Sequence, residues 1–409
     1  MAASRASRMR AALAAAVLVV VASGCTTGPT PSVQATKAPV LGIDWGRVAS
    51  VERPANYEQT VSPSYPGMHP ILRIQGQAMM VDLAARSSGG YVAVGYAPPD
   101  WVPVSWTSPD GQAWSFHEID ASPFTFAVSL AVGSDGTIVA VGRSGKLPLA
   151  WTSRDGATWT EHQVPMLSGG STAERMTSVV ATPSGFVAGG SAGPELLDRH
   201  ARFWTSVDGA TWQPVTDDAT ADANAEVRGI TTLAGGLVAV GVVGGVQNPT
   251  GAVAWTSSDG TSWTRVDSQA FVNGEAVSVA PGPQAGVVAV GAQIDRRVAV
   301  SWVSADGRTW TRAADEPSRI HQGGFAWMTD VVSIGGLAIA IGDVQGLQRG
   351  TAVGWVSHDG LSWQISTQAP VQEGAEFYGI APAGRGALAV GAFGIPDSYV
   401  PEVWQTPAS

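Results

Sequence analysis

One phrase recurs six times along this 409-residue chain: W-[TV]-S-x-D-G-x-x-W. The copies begin at Trp106, Trp151, Trp204, Trp255, Trp302 and Trp355, and a truncated seventh begins at Trp404. Successive starts lie 45, 53, 51, 47, 53 and 49 residues apart. A period near 50 marks one supersecondary unit repeated, each copy burying its apolar face against the next.

A second signature precedes each Trp: a short apolar run closed by glycine. The runs end at Gly95, Gly142, Gly190, Gly241, Gly291, Gly342 and Gly391. They are too short for helices, and turn residues bound them, so they read as buried strands. A further apolar stretch lies ahead of each run, such as Met176 to Ala181, and another follows the second Trp, such as Trp263 to Val266. Four strands per unit and seven units predict an all-β fold, a seven-bladed β-propeller of four antiparallel strands per blade. Strand a lines the axis, strand b is the apolar run, strand c carries the first Trp and strand d the second. The S-x-D-G turn joins c to d, with Asp accepting backbone N–H bonds and Gly supplying φ > 0.

The seventh unit lacks a D-G-x-x-W half, and Gly42 to Val48 resembles that half. The expectation is that Trp45 to Ser50 forms strand d of blade seven against Val403 to Thr406. Such a closure removes the exposed edges of an open array.

The first 24 residues read as a targeting segment. Arg5, Arg8 and Arg10 precede an apolar stretch, Ala11 to Ala22, too short to span a bilayer. Val21-Ala22-Ser23-Gly24-Cys25 resembles a bacterial lipobox, which implies lipidation of Cys25, the only cysteine. Residues 25–39 are rich in Thr, Pro and Ser and read as a flexible tether, with the propeller occupying 40–409. The expected location is the extracytoplasmic face of the cell membrane, with secretion as the alternative. Removing three arginines with the leader leaves 20 basic against 33 acidic residues, a net charge of −13. That disfavours nucleic acid as a partner and leaves the lipid anchor as the membrane contact.

The S-x-D-G-x-x-W phrase resembles the Asp-box, or BNR repeat, of sialidases and related propellers, carried here by Asp110, Asp155, Asp208, Asp259, Asp306 and Asp359. Each copy is one residue shorter between Asp and Trp than the usual S-x-D-x-G-x-x-W. In that superfamily the box is a structural turn opposite the active site, and it also occurs in non-catalytic propellers. Sialidases have six blades and use three arginines, a Tyr–Glu nucleophile pair and an Asp acid/base. The resemblance therefore offers Arg73, in Leu72-Arg73-Ile74-Gln75, and the pair Glu376 and Tyr378 as catalytic candidates, with Arg175 and Arg228 starting other blades.

Fourteen of the 16 Trp belong to the repeats. The other two are Trp101, between strands b and c of blade one, and Trp327, at the start of blade six. Tyr96, Tyr378 and Tyr399 fall on the same face of blades one and seven, with Tyr57 and Tyr65 in the long Ala49 to Gln77 connection. An aromatic sector on blades six, seven and one suits stacking on sugars or gripping a peptide, or else packs that connection onto the ring. Glu226, Glu275 and Glu376 start inner strands, and Asp82 and Asp330 lie deeper, which predicts a partly acidic mouth or a solvated rim. The six His are scattered, and no P-loop, dinucleotide fingerprint or nucleophile elbow occurs, so no metal or cofactor is expected. The expected role is a glycan- or protein-binding module, monomeric, with a sialidase-like glycoside hydrolase or a plain structural scaffold as alternatives.

Overall fold

The computed structural model describes residues 45–55, 57–60, 71–74, 76–167, 172–193, 199–216, 224–245, 248–314, 325–345, 350–365, 374–394 and 399–406. Residues 41–409 form one compact unit. Seven antiparallel four-stranded units follow one another in chain order, as the repeat predicts. Blade one, for example, runs Met79–Ala85, Tyr91–Ala97, Val102–Ser108, Ala113–Glu118 as strands a to d. Among the described residues, no helix is long and apolar enough to cross a membrane.

The core lies between blades. Seven apolar clusters are present, one at each junction. At the junction of blades three and four, Val187 and Phe203 meet Val227, Trp255 and Trp263, and the Phe203 and Trp263 rings stack 3.9 Å apart. All seven strand-c Trp are buried. Each contributes roughly 150–250 Å² of apolar contact, so these rings act as the spacers that set the repeat.

The c–d turns show why Ser, Asp and Gly stand where they do. Ser257 Oγ accepts from Gly260 N at 2.8 Å, and Asp259 Oδ1 accepts from Thr261 N at 2.7 Å and Ser262 N at 2.9 Å. The Ser262 and Thr261 amides hold the Asp259 carboxyl below its ordinary value. Gly260 has φ +81°, and a Cβ there would come 2.8 Å from Val187 of the preceding blade. The turn thus fixes its own backbone and packs against its neighbour.

The glycine closing each strand-b run has a different cause. All seven inner strands carry a β-bulge, at Val81, Val128, Thr177, Arg228, Val277, Thr329 and Tyr378. Each bulge drives the carbonyl two residues before it into strand b. A Cβ on Gly291 would lie 1.8 Å from Glu275 O, and one on Gly391 1.9 Å from Glu376 O. Only glycine leaves room. The bulged segments bring residues of every blade to the axial cavity.

The ring closes through the N-terminal segment. Gly46–Arg47 pairs antiparallel with the strand Val400–Gln405 as strand d of blade seven, and Val48 N donates to Val403 O at 2.8 Å. Trp45 is buried beside Phe377, ring centres 5.6 Å apart. The expected strand is shorter than Trp45 to Ser50, because the chain leaves the blade at Ala49. Ser50–Val51 instead pairs parallel with strand d of blade one, giving that blade a fifth strand. Glu52 O then accepts from Trp106 Nε1 at 2.9 Å. A single segment therefore stitches blade seven to blade one. The connection also contains a hairpin, Tyr57–Thr60 against Ile71–Ile74.

Candidate functional site

Above each bulge, the upper rung of the a–b ladder reaches the face that carries the b–c and d–a connections. The rungs are Met79 with Tyr96, Phe126 with Arg143, Arg175 with Ser191, Glu226 with Val242, Glu275 with Ala292, Trp327 with Asp343, and Glu376 with Ala392. Below them the axial channel holds a cavity of about 240 Å³, lined by residues of every blade. Asp82, Ser129, Ser178, Arg228, Ser278, Asp330 and Tyr378 all face it.

Three rungs bear Glu, and two of these receive opposite treatment. Glu226, on blade four, is 2% exposed. It pairs with Arg199 and with Arg228, the latter at 3.1 Å, and Ser191 Oγ donates to it at 3.3 Å. This carboxylate is neutralised inside the fold, so it does not form an acidic mouth. Glu376, on blade seven, is half-buried and meets tyrosines. The Tyr378 hydroxyl donates to Oε2, and the Tyr399 hydroxyl donates to Oε1 at 3.3 Å. Burial, together with the bond to Glu376, pushes the Tyr378 phenol far up. Burial and the nearby Glu376 carboxylate push Tyr96 up to about 12. These tyrosines are kept as neutral donors at any ordinary pH.

The aromatic sector assembles around that carboxylate. Tyr96 lies 5.8 Å from Trp101 and 5.2 Å, edge-on, from Phe126. Trp101 takes a left-handed backbone conformation, φ +54°. Its carbonyl accepts from Thr125 N at 3.0 Å, which ties that strained residue to blade two. Trp327, from blade six, sits opposite Asp343 on its rung. Asp343 is 3% exposed, and burial followed by the Glu376 charge raises its carboxyl well above the ordinary value. Tyr96, Trp101, Tyr378, Tyr399 and Glu376 are thus brought together, while Trp327 stands on the neighbouring blade, paired with Asp343. Glu275 sits half-buried on its own rung of blade five. Arg73 lies on the hairpin strand Ile71–Ile74, and its side chain falls outside the described residues. Tyr65 and Cys25 also lie outside them, as does the side chain of Tyr57.

The deeper aspartates do structural work. Asp82 accepts from Leu83 N and, across to blade two, from Leu130 N, both at 2.8 Å. Asp330 accepts from Ser278 Oγ of blade five at 2.6 Å and from Ile380 N of blade seven at 3.0 Å. Protein encloses both carboxyls except toward the channel. Burial, and for Asp82 the charge of Asp330, pushes them to about 7 and about 6. Among the described residues, no group of three or more His, Cys, Asp or Glu is placed to hold a metal ion.

Asp343, Arg199 and Phe126 escaped the sequence reading. Asp343 has a recoverable signal. The residue after the strand-b glycine is Tyr96, Arg143, Ser191, Val242, Ala292, Asp343 and Ala392 in successive blades, and the two odd members of the aromatic sector stand out there.

No family model matches the chain, and a search of curated proteins finds no match either. Solved structures do match. The chain is similar to the Dos1 propeller, with TM-score 0.52 and 7% identity over 90% of this chain and 95% of that one. It is also similar to Trypanosoma rangeli sialidase in complex with the inhibitor DANA, with TM-score 0.51 and 12% identity over 89% of this chain. The same sialidase with 2,3-difluorosialic acid, a covalent intermediate, gives TM-score 0.51 and 11% identity over 88%. The chain spans 60% of the sialidase chain in the first of these and 58% in the second. At such identities the likeness is one of fold, and the chain is a seven-bladed β-propeller with sialidase and Dos1 propellers as structural neighbours.

Proposed function

We propose that this propeller is a binding module, held by a lipidated Cys25 on the extracytoplasmic face of the membrane, or secreted, that takes a glycan or a partner protein on its b–c face. The observation that carries this is the convergence of Tyr96, Trp101, Tyr378 and Tyr399 with Glu376 at one mouth of the channel. These residues come from both ends of the ring and meet only through its closure. The same face bears Phe124, Leu147, Leu167, Val272 and Phe325, five of the six exposed large apolar residues described, which supports a docking role. The Asp-box likeness of the turns supports a propeller in which function sits on the opposite face. The test is a glycan array and a pull-down from surface extracts, run on wild type and Trp101→Ala. A ligand captured by wild type and lost in the variant supports the module. Equal capture by both places the ligand elsewhere and defeats this reading.

A sialidase-like glycosidase is the second reading, favoured by the hydrogen bond from Tyr378 to Glu376, the pair such an enzyme uses as nucleophile. Two features weigh against it. Burial raises the Tyr378 phenol, which opposes nucleophilicity, and Arg228 is already engaged by Glu226. Release of a fluorogenic leaving group from sialosides, abolished by Tyr378→Phe, would favour the enzyme.

A further inference from the structure

The contrast between blades four and seven identifies the kind of group this seat is built to receive. Glu226 and Glu376 occupy the same rung, yet the fold supplies two guanidinium groups to the first and two tyrosine hydroxyls to the second. A second carboxyl, Asp343 of blade six, is nine-tenths buried, and burial with the Glu376 charge favours its neutral form. Asp343 Oδ1 has no hydrogen-bond partner among the described residues. In contrast to Glu226, Glu376 forms no ion pair among the described residues, and the Tyr96–Trp101 pair of rings stands beside it. Aromatic faces attract cations, most strongly where water is displaced, and a carboxylate adds a direct charge partner. Trp101 is held in its left-handed conformation at the rim by the bond to Thr125, so its ring is placed by the fold.

We infer that the group seated among Tyr96, Trp101, Tyr378 and Tyr399 on Glu376 is an alkylammonium cation. The inference rests on the binding-module reading and narrows it. A free quaternary amine and the lysine side chain of a partner protein share this chemistry, and the experiment separates them. A neutral sugar would leave the Glu376 carboxylate without a charge partner, and an anion would be repelled.

The test titrates the full chain, purified with its N-terminal segment in mild detergent, by calorimetry. The probes are choline, Nα-acetyl-lysine methylamide and 3,3-dimethylbutan-1-ol, the neutral isostere of choline. At least one cation should bind ~10-fold or more tighter than the isostere, the usual scale of a desolvated cation–aromatic contact with a charge partner. Choline binding would indicate a free amine as ligand, and binding of the lysine derivative alone a protein side chain. Glu376→Gln should weaken the cation ~10-fold and leave the isostere unchanged. Trp101→Ala, at a half-buried rim position, should weaken both and guards against a Glu376 variant that fails to fold. An isostere that binds as tightly as the better cation, no cation binding by folded wild type, or an unaffected Glu376→Gln variant would each overturn the inference. A neutral or acidic glycan that binds wild type and is lost in Trp101→Ala would sink the cation and leave the module standing.

Discussion

Replacing Trp45 with alanine tests the closure of the ring at a single side chain. Trp45 belongs to no repeat of the main run, yet it is 3% exposed and packs among Ile339, Ile341, Phe377 and Trp404. Its indole nitrogen would lie only 2.5 Å from a Cβ on Gly354 of blade six, so the ring fills the gap between blades six and seven. Truncating a buried Trp costs about 3–5 kcal/mol, from lost transfer energy and the cavity left behind. The compact unit runs from 41 to 409. At ~2.1 cal/mol/K of unfolding entropy per residue its total is about 0.8 kcal/mol/K, so the melting temperature should fall by about 4–6 °C. Differential scanning calorimetry of Trp45→Ala reads this directly, with Ala49→Ser at an exposed neighbouring position as a control expected within about 1 °C. A Trp45→Ala variant that melts within 1 °C of wild type would refute the closure, because no ring with that side chain in its core tolerates the loss.

Other consequences follow from the same geometry. A chain starting at Arg53 loses both the blade-seven strand and the parallel strand on blade one, and should melt lower and aggregate through the exposed edge at Val400–Gln405; static light scattering on heating reads this. Gly291→Ala puts a methyl 1.8 Å from a backbone carbonyl and should cost ~3 kcal/mol or more, whereas Gly46→Ala, with its nearest atom at 3.8 Å, should cost under ~1 kcal/mol; urea unfolding separates them. Asp82 and Asp330 bind protons more tightly folded than unfolded, since their folded values, about 7 and about 6, lie above the ordinary 3.8. Their contribution is therefore full below about pH 4 and is lost as pH rises through 6 to 7. Melting temperature should fall between pH 5 and 8, and Asp82→Asn should flatten that slope whatever its effect on the absolute value.

Much of this architecture can be read from residues alone because its causes are local. The S-x-D-G turn satisfies its own backbone within four residues, and the strand-b glycine answers to a bulge in the adjacent strand, so both recur in the sequence with the repeat. The parallel strand at Ser50–Val51 could not be read, since two residues carry no periodicity and their partner lies over 60 residues away. The candidate site divides along the same line. Tyr96, Trp101 and Tyr378 are legible as departures from the repeat on one sector, and Glu376 as one of three acidic residues that start inner strands. Glu226 looked like the same kind of acidic residue, and only the approach of Arg199, brought in from the b–c side of the preceding blade, shows it to be neutralised. Asp343 was passed over because it follows an ordinary apolar run, and its coupling to Glu376 crosses from blade six to blade seven.

The most direct test is a crystal structure of residues 41–409 soaked in turn with choline and with Nα-acetyl-lysine methylamide. The expected result is a ring closed by Gly46–Arg47 on the last strand, and ligand density bounded by Tyr96, Trp101, Tyr378 and Tyr399 with its ammonium toward Glu376. An empty mouth at saturating concentrations of both choline and Nα-acetyl-lysine methylamide, or density on the face of the Asp-Gly turns, would contradict it.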